Sequence, residues 1–323
     1  MKKYFLFMFL WGMSMFGFAL TQPGAMPRFA TMWAALKDGG APTQEQLTRA
    51  EEQVDNGQTL DLSEKTTLLP RILKGKPIRV WISLPPEELG NSVEKAYYEG
   101  LVKEAFENWF DGTNWHVQQR CKEDKVCLKE LTQKGLEEKQ LVFVPEGAEA
   151  DLWVYVQDDL KIFREYICEN ELCVGLFKKG NSYDPMSIYV PNQKAVDAWP
   201  QTQDREQMDV ITTWIHEVGH ALGLADMYPA GFEQGASQVV CSVSQNRNLS
   251  VMNSGSSSLG CEDADGLINL ADLWTIYFAK AEHGPNFEQY LPERLKKGWQ
   301  SFCPAAEWYK PLEMAKKIEE GAL

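Results

Sequence analysis

Hydrophobic residues recur at helical spacing in one long segment and alternate with polar residues in several short ones. Residues 91–110 predict a long amphipathic helix, with Asn91 and Glu94 as a capping box. Its predicted apolar face consists of Val93, Tyr97, Leu101, Ala105 and Trp109. Short runs rich in β-branched and aromatic residues predict strands. These runs are 77–83, 115–120, 141–144, 152–156, 163–167 and 187–190. The mixture predicts an α+β protein.

A second amphipathic helix is predicted after Asp204, which with Gln207 forms a further capping box. Ile211, Trp214, Ile215, Val218 and Leu222 form its apolar stripe. His216 and His220 are four residues apart and therefore share one face of this helix. We expect the apolar side to enter a core and the histidine side to face a cleft.

The stretch from His216 to Asp226 reads H-E-x-x-H-x-x-G-x-x-D. Two imidazoles one helical turn apart can bind the same tetrahedral zinc ion. Glu217 lies next to that face and suits a general base acting on a metal-activated water. Because glycine accepts the left-handed conformation that ends a helix, Gly223 allows the chain to turn back, so that Asp226 can supply a third ligand.

This extended motif resembles the hallmark of the metzincin metalloproteases. Aspartate in place of the usual third histidine is similar to the small bacterial snapalysin-type enzymes. Metzincins also carry a Met-turn, whose methionine lies beneath the metal ligands without binding the ion. Residues 250–255, with Met252, match that turn in composition and position.

The resemblance implies a metzincin-like zinc-protease fold. In that fold a twisted mixed sheet packs on two long helices, and the zinc helix is followed by the Met-turn and a C-terminal helix. It also implies that an edge strand binds peptide substrate as an added antiparallel strand. We place this edge strand between Phe163 and Phe177. His116 is interpreted as structural, and His283 is a less favoured substitute for Asp226.

The segment from Cys261 to Leu270 admits two interpretations. It resembles the start of the last helix in matrixin-like members of the family, and superficially it resembles a calcium loop. A calcium loop needs an oxygen ligand at its first position, which Cys261 would occupy without supplying one. We favour an N-capped helix, and a structural Ca²⁺ ion is the less favoured interpretation.

Composition and charge restrict the class of partner. The chain has 323 residues, of which 44% are hydrophobic and 24% charged, as in ordinary globular proteins, and its formal net charge is −14. Such an acidic protein is a poor nucleic-acid binder. We therefore expect no nucleic-acid partner. The resemblance to metalloproteases implies a protein or peptide substrate, and we expect a monomer.

The N-terminus resembles a signal peptide. Lys2 and Lys3 precede an apolar run over 4–20, which predicts a secreted or periplasmic protein with no stable membrane insertion after cleavage. Seven cysteines in an exported chain suggest disulfides. Close spacing favours Cys121–Cys127, Cys168–Cys173 and Cys241–Cys261, with Cys303 left over.

We divide the chain into four parts. Residues 1–20 are the signal peptide, 21–75 an N-terminal extension or propeptide with a helix over 43–54, and 76–283 the catalytic domain. Residues 284–323 form a C-terminal helical extension with a helix near 312–320.

The sequence therefore predicts a secreted zinc-dependent endopeptidase with one catalytic Zn²⁺. His216, His220 and Asp226 are the predicted ligands, Glu217 is the general base, and Met252 belongs to the Met-turn. Two alternatives stay open. One is a catalytically inactive zinc-binding interaction protein that uses the cleft to bind a partner, and the other is a calcium-dependent adhesion module built on 263–272.

Overall fold

The computed structural model of the chain describes residues 67–85, 88, 90–133, 140–146, 148–163, 167, 175–178, 180, 185–198, 210–224, 251–252, 259–300 and 308–320. The predicted signal peptide, the helix over 43–54 and the caps at Asp204 and Gln207 lie outside these residues. Within the described part of the chain, no helix is long and apolar enough to cross a membrane.

The described chain alternates helices and strands. In order, the elements are α1 Leu69–Leu73, β1 Ile78–Ser83, α2 Ser92–Cys121, α3 Lys125–Leu131, β2 Leu141–Phe143, β3 Leu152–Gln157, α4 Leu160–Phe163, β4 Leu176–Lys178, β5 Met186–Pro191, α5 Gln193–Asp197, α6 Val210–Leu222, α7 Cys261–His283, α8 Glu293–Lys297, β6 Trp299–Gln300, β7 Trp308–Tyr309 and α9 Pro311–Glu319. A 3₁₀ helix over Gly284–Tyr290 joins α7 to α8.

Five of these strands form one mixed sheet in the order β2-β1-β3-β5-β4. The β1–β2, β1–β3 and β3–β5 pairs are parallel, whereas β4 runs antiparallel to β5. Phe177 in β4 is in register with Ile188 in β5, and β4 forms one edge of the sheet. Of the segment predicted to hold the edge strand, only its last residues, Leu176 and Phe177, belong to β4.

One face of the sheet carries the main core. The side chains alternate between buried and partly exposed along β1 and β3, as expected for strands with one covered face. The inward residues are Ile78, Val80, Ile82, Leu152, Val154, Val156, Met186, Ile188 and Val190. Helices α1, α2, α6 and α7 complete the same core. The predicted α+β architecture, with a mixed sheet packed on long helices, is confirmed at this level.

Helix α2 is longer than predicted, and in its first two turns the buried residues differ from the predicted apolar face. Asn91 caps it by accepting hydrogen bonds from the backbone of Val93 and Glu94, as expected. The strand predicted over 115–120 is wrong, because the helix continues to Cys121. Val93 and Tyr97 are 73% and 48% exposed, so the predicted apolar face is wrong in its first two turns.

Two tertiary contacts and one hydrogen bond within the helix support the continuation of α2. Gly112 packs against Leu259, where a Cβ would lie 2.8 Å from Leu259 Cδ2. The Thr113 hydroxyl donates to Trp109 O at 2.6 Å within the helix. Val117 is fully buried against the C-terminal part of the chain. These contacts outweigh the weak helix propensity of glycine and threonine.

The strand predicted to begin at Phe163 is also wrong at that residue. Asp159 accepts a hydrogen bond from Lys161 N at 2.8 Å and starts the short helix α4. Phe163 ends that helix and is fully buried beside Tyr189. An aspartate side chain that accepts from one N-terminal amide of a helical turn therefore favours helix over strand here.

Three predictions near the C-terminus and the cysteines are confirmed. The segment beginning at Cys261 is a helix, α7, and a helix also spans Pro311–Glu319. Cys121 and Cys127 form a disulfide between the end of α2 and α3. Cys261 is disulfide-bonded as well. The other cysteines lie outside the described residues, so the remaining pairings stay predictions.

Candidate metal centre

The two motif histidines face each other on α6. Their rings are nearly perpendicular, at 88°, with centroids 4.8 Å apart. His216 Nε2 and His220 Nε2 are 3.2 Å apart. Two nitrogens that occupy corners of a tetrahedral zinc site at about 2.05 Å from the ion are roughly 3.3 Å apart. The spacing of this pair therefore fits a shared zinc ion.

Backbone carbonyls fix the protonation pattern of both rings. His216 Nδ1 is 2.9 Å from Val251 O, and His220 Nδ1 is 2.8 Å from Leu224 O. A carbonyl only accepts, so each Nδ1 carries a proton, and in the neutral form each ring presents an Nε2 lone pair. Two lone pairs held this close repel each other unless a cation lies between them. The donor set is therefore chemically suited to a metal ion.

Gly223 produces the turn that holds His220. Its φ of 105° is unfavourable for other residues, and α6 ends immediately before it. Gly223 N donates to His220 O at 2.9 Å, and Leu224 N donates to Gly219 O at the same distance. The turn folds Leu224 back over the last helical turn, where its carbonyl meets His220. The predicted helix end at Gly223 is confirmed.

Glu217 lies beneath the edge strand. The residue is only 3% exposed. Gly175, which immediately precedes β4, approaches it so closely that a Cβ on Gly175 would lie 2.8 Å from Glu217 Cδ. Two residues along, Phe177 stacks on His220 with ring centroids 5.9 Å apart. The start of β4 therefore covers both the predicted base and one predicted ligand.

Met252 packs under the same helix. It is fully buried, and its Sδ would be 2.5 Å from a Cβ placed on Gly219, between the two histidines. The Trp109 ring covers Gly219 from α2, and its Nε1 donates to Ile215 O at 2.7 Å. A glycine inside the motif thus allows a thioether and an indole to reach the helix backbone.

Asp263 holds the residues around Met252 in place. Its Oδ2 accepts hydrogen bonds from Val251 N at 2.7 Å and Gly260 N at 2.8 Å. Oδ1 lies 3.5 Å from the donor Met252 N. Asp263 is 1% exposed, in the first turn of α7. The carboxylate that suggested a calcium loop therefore accepts hydrogen bonds from backbone amides. It holds Val251, whose carbonyl in turn orients His216.

Asp226 lies outside the described residues, as do 253–255 of the predicted Met-turn. Among the described residues, no group of three or more histidine, cysteine or acidic side chains could hold a metal ion. His116 Nε2 lies 3.3 Å from Leu259 O, and burial lowers the pKa of its imidazole. His283 stacks on Tyr290, with ring centroids 3.7 Å apart. Both have contacts away from the histidine pair.

Several contributors to the site are absent from the sequence prediction. Gly175 and Phe177 reach it from the edge strand, and Trp109 and Asp263 reach it from α2 and α7. Gly175 and Phe177 lie in the segment predicted to hold the edge strand, but no local pattern marked them as neighbours of Glu217 and His220. Trp109 was on the predicted apolar face, and Asp263 lay in the segment for which an N-capped helix was favoured over a calcium loop. Comparisons with protein-family models, curated proteins and solved structures found no match to this chain.

Proposed function

We propose that the chain is an exported zinc-dependent endopeptidase of the metzincin type. The observation that carries the proposal is the pair of Nε2 atoms 3.2 Å apart, each on a ring whose Nδ1 is held by a backbone carbonyl. A buried carboxylate, Glu217, stands next to this pair on the same helix. Met252 beneath the helix supports the metzincin type, because a methionine is expected there.

His216 and His220 would hold the zinc ion, with Asp226 as the proposed third ligand. When bound, Zn²⁺ lowers the pKa of water and polarises the carbonyl of the scissile bond. Glu217 takes one proton from the attacking water through its carboxylate. The water oxygen bonds to the carbonyl carbon, the C–N bond breaks, and Glu217 returns the proton to the leaving nitrogen.

The edge strand provides the proposed site for the peptide. Within the described residues β4 has β5 on one side only. A peptide that pairs with the other side would extend the sheet antiparallel to β4. Gly175 and Phe177 contact Glu217 and His220, so such a peptide would lie next to both groups.

The proposal is tested by zinc analysis and proteolysis of an unfolded protein such as casein. We expect one zinc per chain, cleavage that a chelator stops, and recovery when zinc is restored. Glu217→Gln should keep zinc and lose about 10²–10⁴-fold in turnover, because the amide cannot accept the proton. Glu282→Gln, which changes an exposed acid on α7, is the matched control.

Full activity in the Glu217→Gln variant would contradict the assignment of the base. Zinc binding without cleavage by the wild-type protein would favour the alternative of a non-catalytic zinc-binding interaction protein. Binding of calcium alone would contradict the zinc assignment itself.

A further inference from the structure

The carboxylate of Glu217 occupies space that a side chain at position 175 would need. A Cβ built on Gly175 would overlap Glu217 Oε1 and lie 2.8 Å from Cδ and 2.9 Å from Cγ. Real Cβ atoms essentially never make such approaches. Position 175 therefore accepts only glycine while Glu217 keeps its present rotamer.

The strand that carries this glycine is held in place. Leu176 and Phe177 pair in register with Tyr189 and Ile188 of β5, and Ile188 is fully buried. Phe177 packs on the main core as well as on His220. Moving the backbone at 175 would disturb these contacts, so a shift of the strand would lower the stability of the protein.

Helix α6 is fixed equally well from its other sides. Trp109 Nε1 donates to Ile215 O at 2.7 Å, and Trp214 Nε1 donates to Pro191 O at 3.0 Å. Trp214 and Trp109 are both fully buried. With strand and helix both anchored, an added methyl group at position 175 must displace the Glu217 side chain.

We infer that Gly175 is a positioning residue for Glu217: the bare backbone at the start of β4 seats the carboxylate of the base under the edge strand. This inference rests on the proposed function and assigns it a residue outside the zinc motif. The edge strand then has two roles, because it lies beside the peptide site and also sets the position of the base.

Gly175→Ala should impair catalysis without removing the metal. The two histidines keep their carbonyl anchors at Val251 and Leu224, so zinc stoichiometry should stay at the wild-type value. A displacement of a catalytic group by about 1 Å can reduce turnover on the order of 10²-fold. We expect kcat to fall by about that factor, with KM changing much less.

The decisive experiment is a double-mutant cycle with Glu217→Ala, which removes Cγ, Cδ and Oε1, the three atoms that a Cβ at position 175 would meet. In the presence of chelator, Gly175→Ala should lower the urea midpoint of unfolding in the wild-type background and lower it much less in the Glu217→Ala background. Gly100→Ala controls for the change of residue type, because its Cβ would meet nothing within 4 Å.

Additive effects of the two substitutions on unfolding would overturn the inference, since they would mean that position 175 and Glu217 do not compete for space. Wild-type kcat in Gly175→Ala would overturn it as well. A wild-type protein that cleaves no peptide would instead contradict the proposed function. The unfolding measurements in chelator do not depend on activity, so they would still test the contact between position 175 and Glu217.

Discussion

At the scale of single residues, the site depends on backbone atoms as much as on side chains. His216 is oriented by the carbonyl of Val251, and the amide of that same residue is held by Asp263. His220 is oriented by the carbonyl of Leu224, which the turn at Gly223 brings there. Each of the two histidines is therefore oriented by a short segment that follows α6 in the chain.

Replacing Asp263 tests this anchorage. Asp263→Ala leaves the buried amides of Val251 and Gly260 without their acceptor, and we expect it to destabilise the protein by about 2–4 kcal/mol. Weaker zinc binding should accompany the loss, because Val251 O would no longer be held against His216. Urea unfolding and zinc titration measure the two effects.

Asp263→Asn removes the negative charge but keeps the size and shape of the side chain. The amide keeps one oxygen and should recover part of the stability that alanine loses. Glu282→Ala, an exposed acid on the same helix, should change neither quantity. Equal zinc affinity in Asp263→Ala and the wild-type protein would show that Val251 keeps its position without this carboxylate.

At the scale of elements, the sequence predicted helices and strands correctly where residues close together in the chain determine the structure. Alternation predicted β1 and β3, the side chain of Asn91 fixed the start of α2, and Gly223 fixed the end of α6. The strand predicted over 115–120 was wrong, because the contact of Leu259, distant in sequence, with Gly112 helps to keep the helix intact.

The same distinction holds within the candidate site. Spacing alone placed His216, Glu217 and His220 together, since all three belong to one helix. Gly175 immediately precedes β4 and Phe177 belongs to it. The edge strand was predicted between Phe163 and Phe177, but no local pattern marks either residue as a neighbour of Glu217 or His220. Asp263 lay in a segment predicted to start a helix, but its contact with Val251 depends on how two separate segments pack.

The ion pairs of Asp151 with Arg79 and Arg71 should make the free energy of unfolding depend on pH in the acidic range. Asp151, just before β3, accepts hydrogen bonds from Arg79 N at 2.8 Å and Arg79 Nη2 at 2.8 Å, and Arg71 Nη2 is 3.3 Å away. Burial raises the pKa of Asp151, but the hydrogen bonds of Arg79 and the charge of Arg71 outweigh it and lower the pKa below its ordinary value.

A lowered native pKa gives stability that is present above the unfolded-state pKa, near 4, and is lost as pH falls through the native value. Asp151→Asn should therefore cost about 1–3 kcal/mol at pH 7, and the difference from wild type should narrow below about pH 4. Urea unfolding at several pH values measures this. If the difference in unfolding free energy between Asp151→Asn and wild type stayed constant down to pH 2, the ionised carboxylate of Asp151 would not be its cause.

At the scale of the whole molecule, α7 connects the site to the C-terminal part of the chain. Its first turn holds the residues around Met252 through Asp263. Further along, Asp272 is 1% exposed and accepts from both Arg294 Nη atoms at 2.5 Å and from Trp299 Nε1 at 3.0 Å. The C-terminal segments thus pack on the same helix that supports the site.

Removing Arg294 tests whether these regions unfold together. Arg294→Ala leaves the buried carboxylate of Asp272 without its charge partner, which typically costs about 3–5 kcal/mol. If the molecule is one cooperative unit, tryptophan fluorescence and zinc release should shift together to lower urea. Lys297→Ala, which removes an exposed ion pair with Glu293, should cost about 0–1 kcal/mol. An early fluorescence transition with zinc retained would instead show that the C-terminal part unfolds independently of the site.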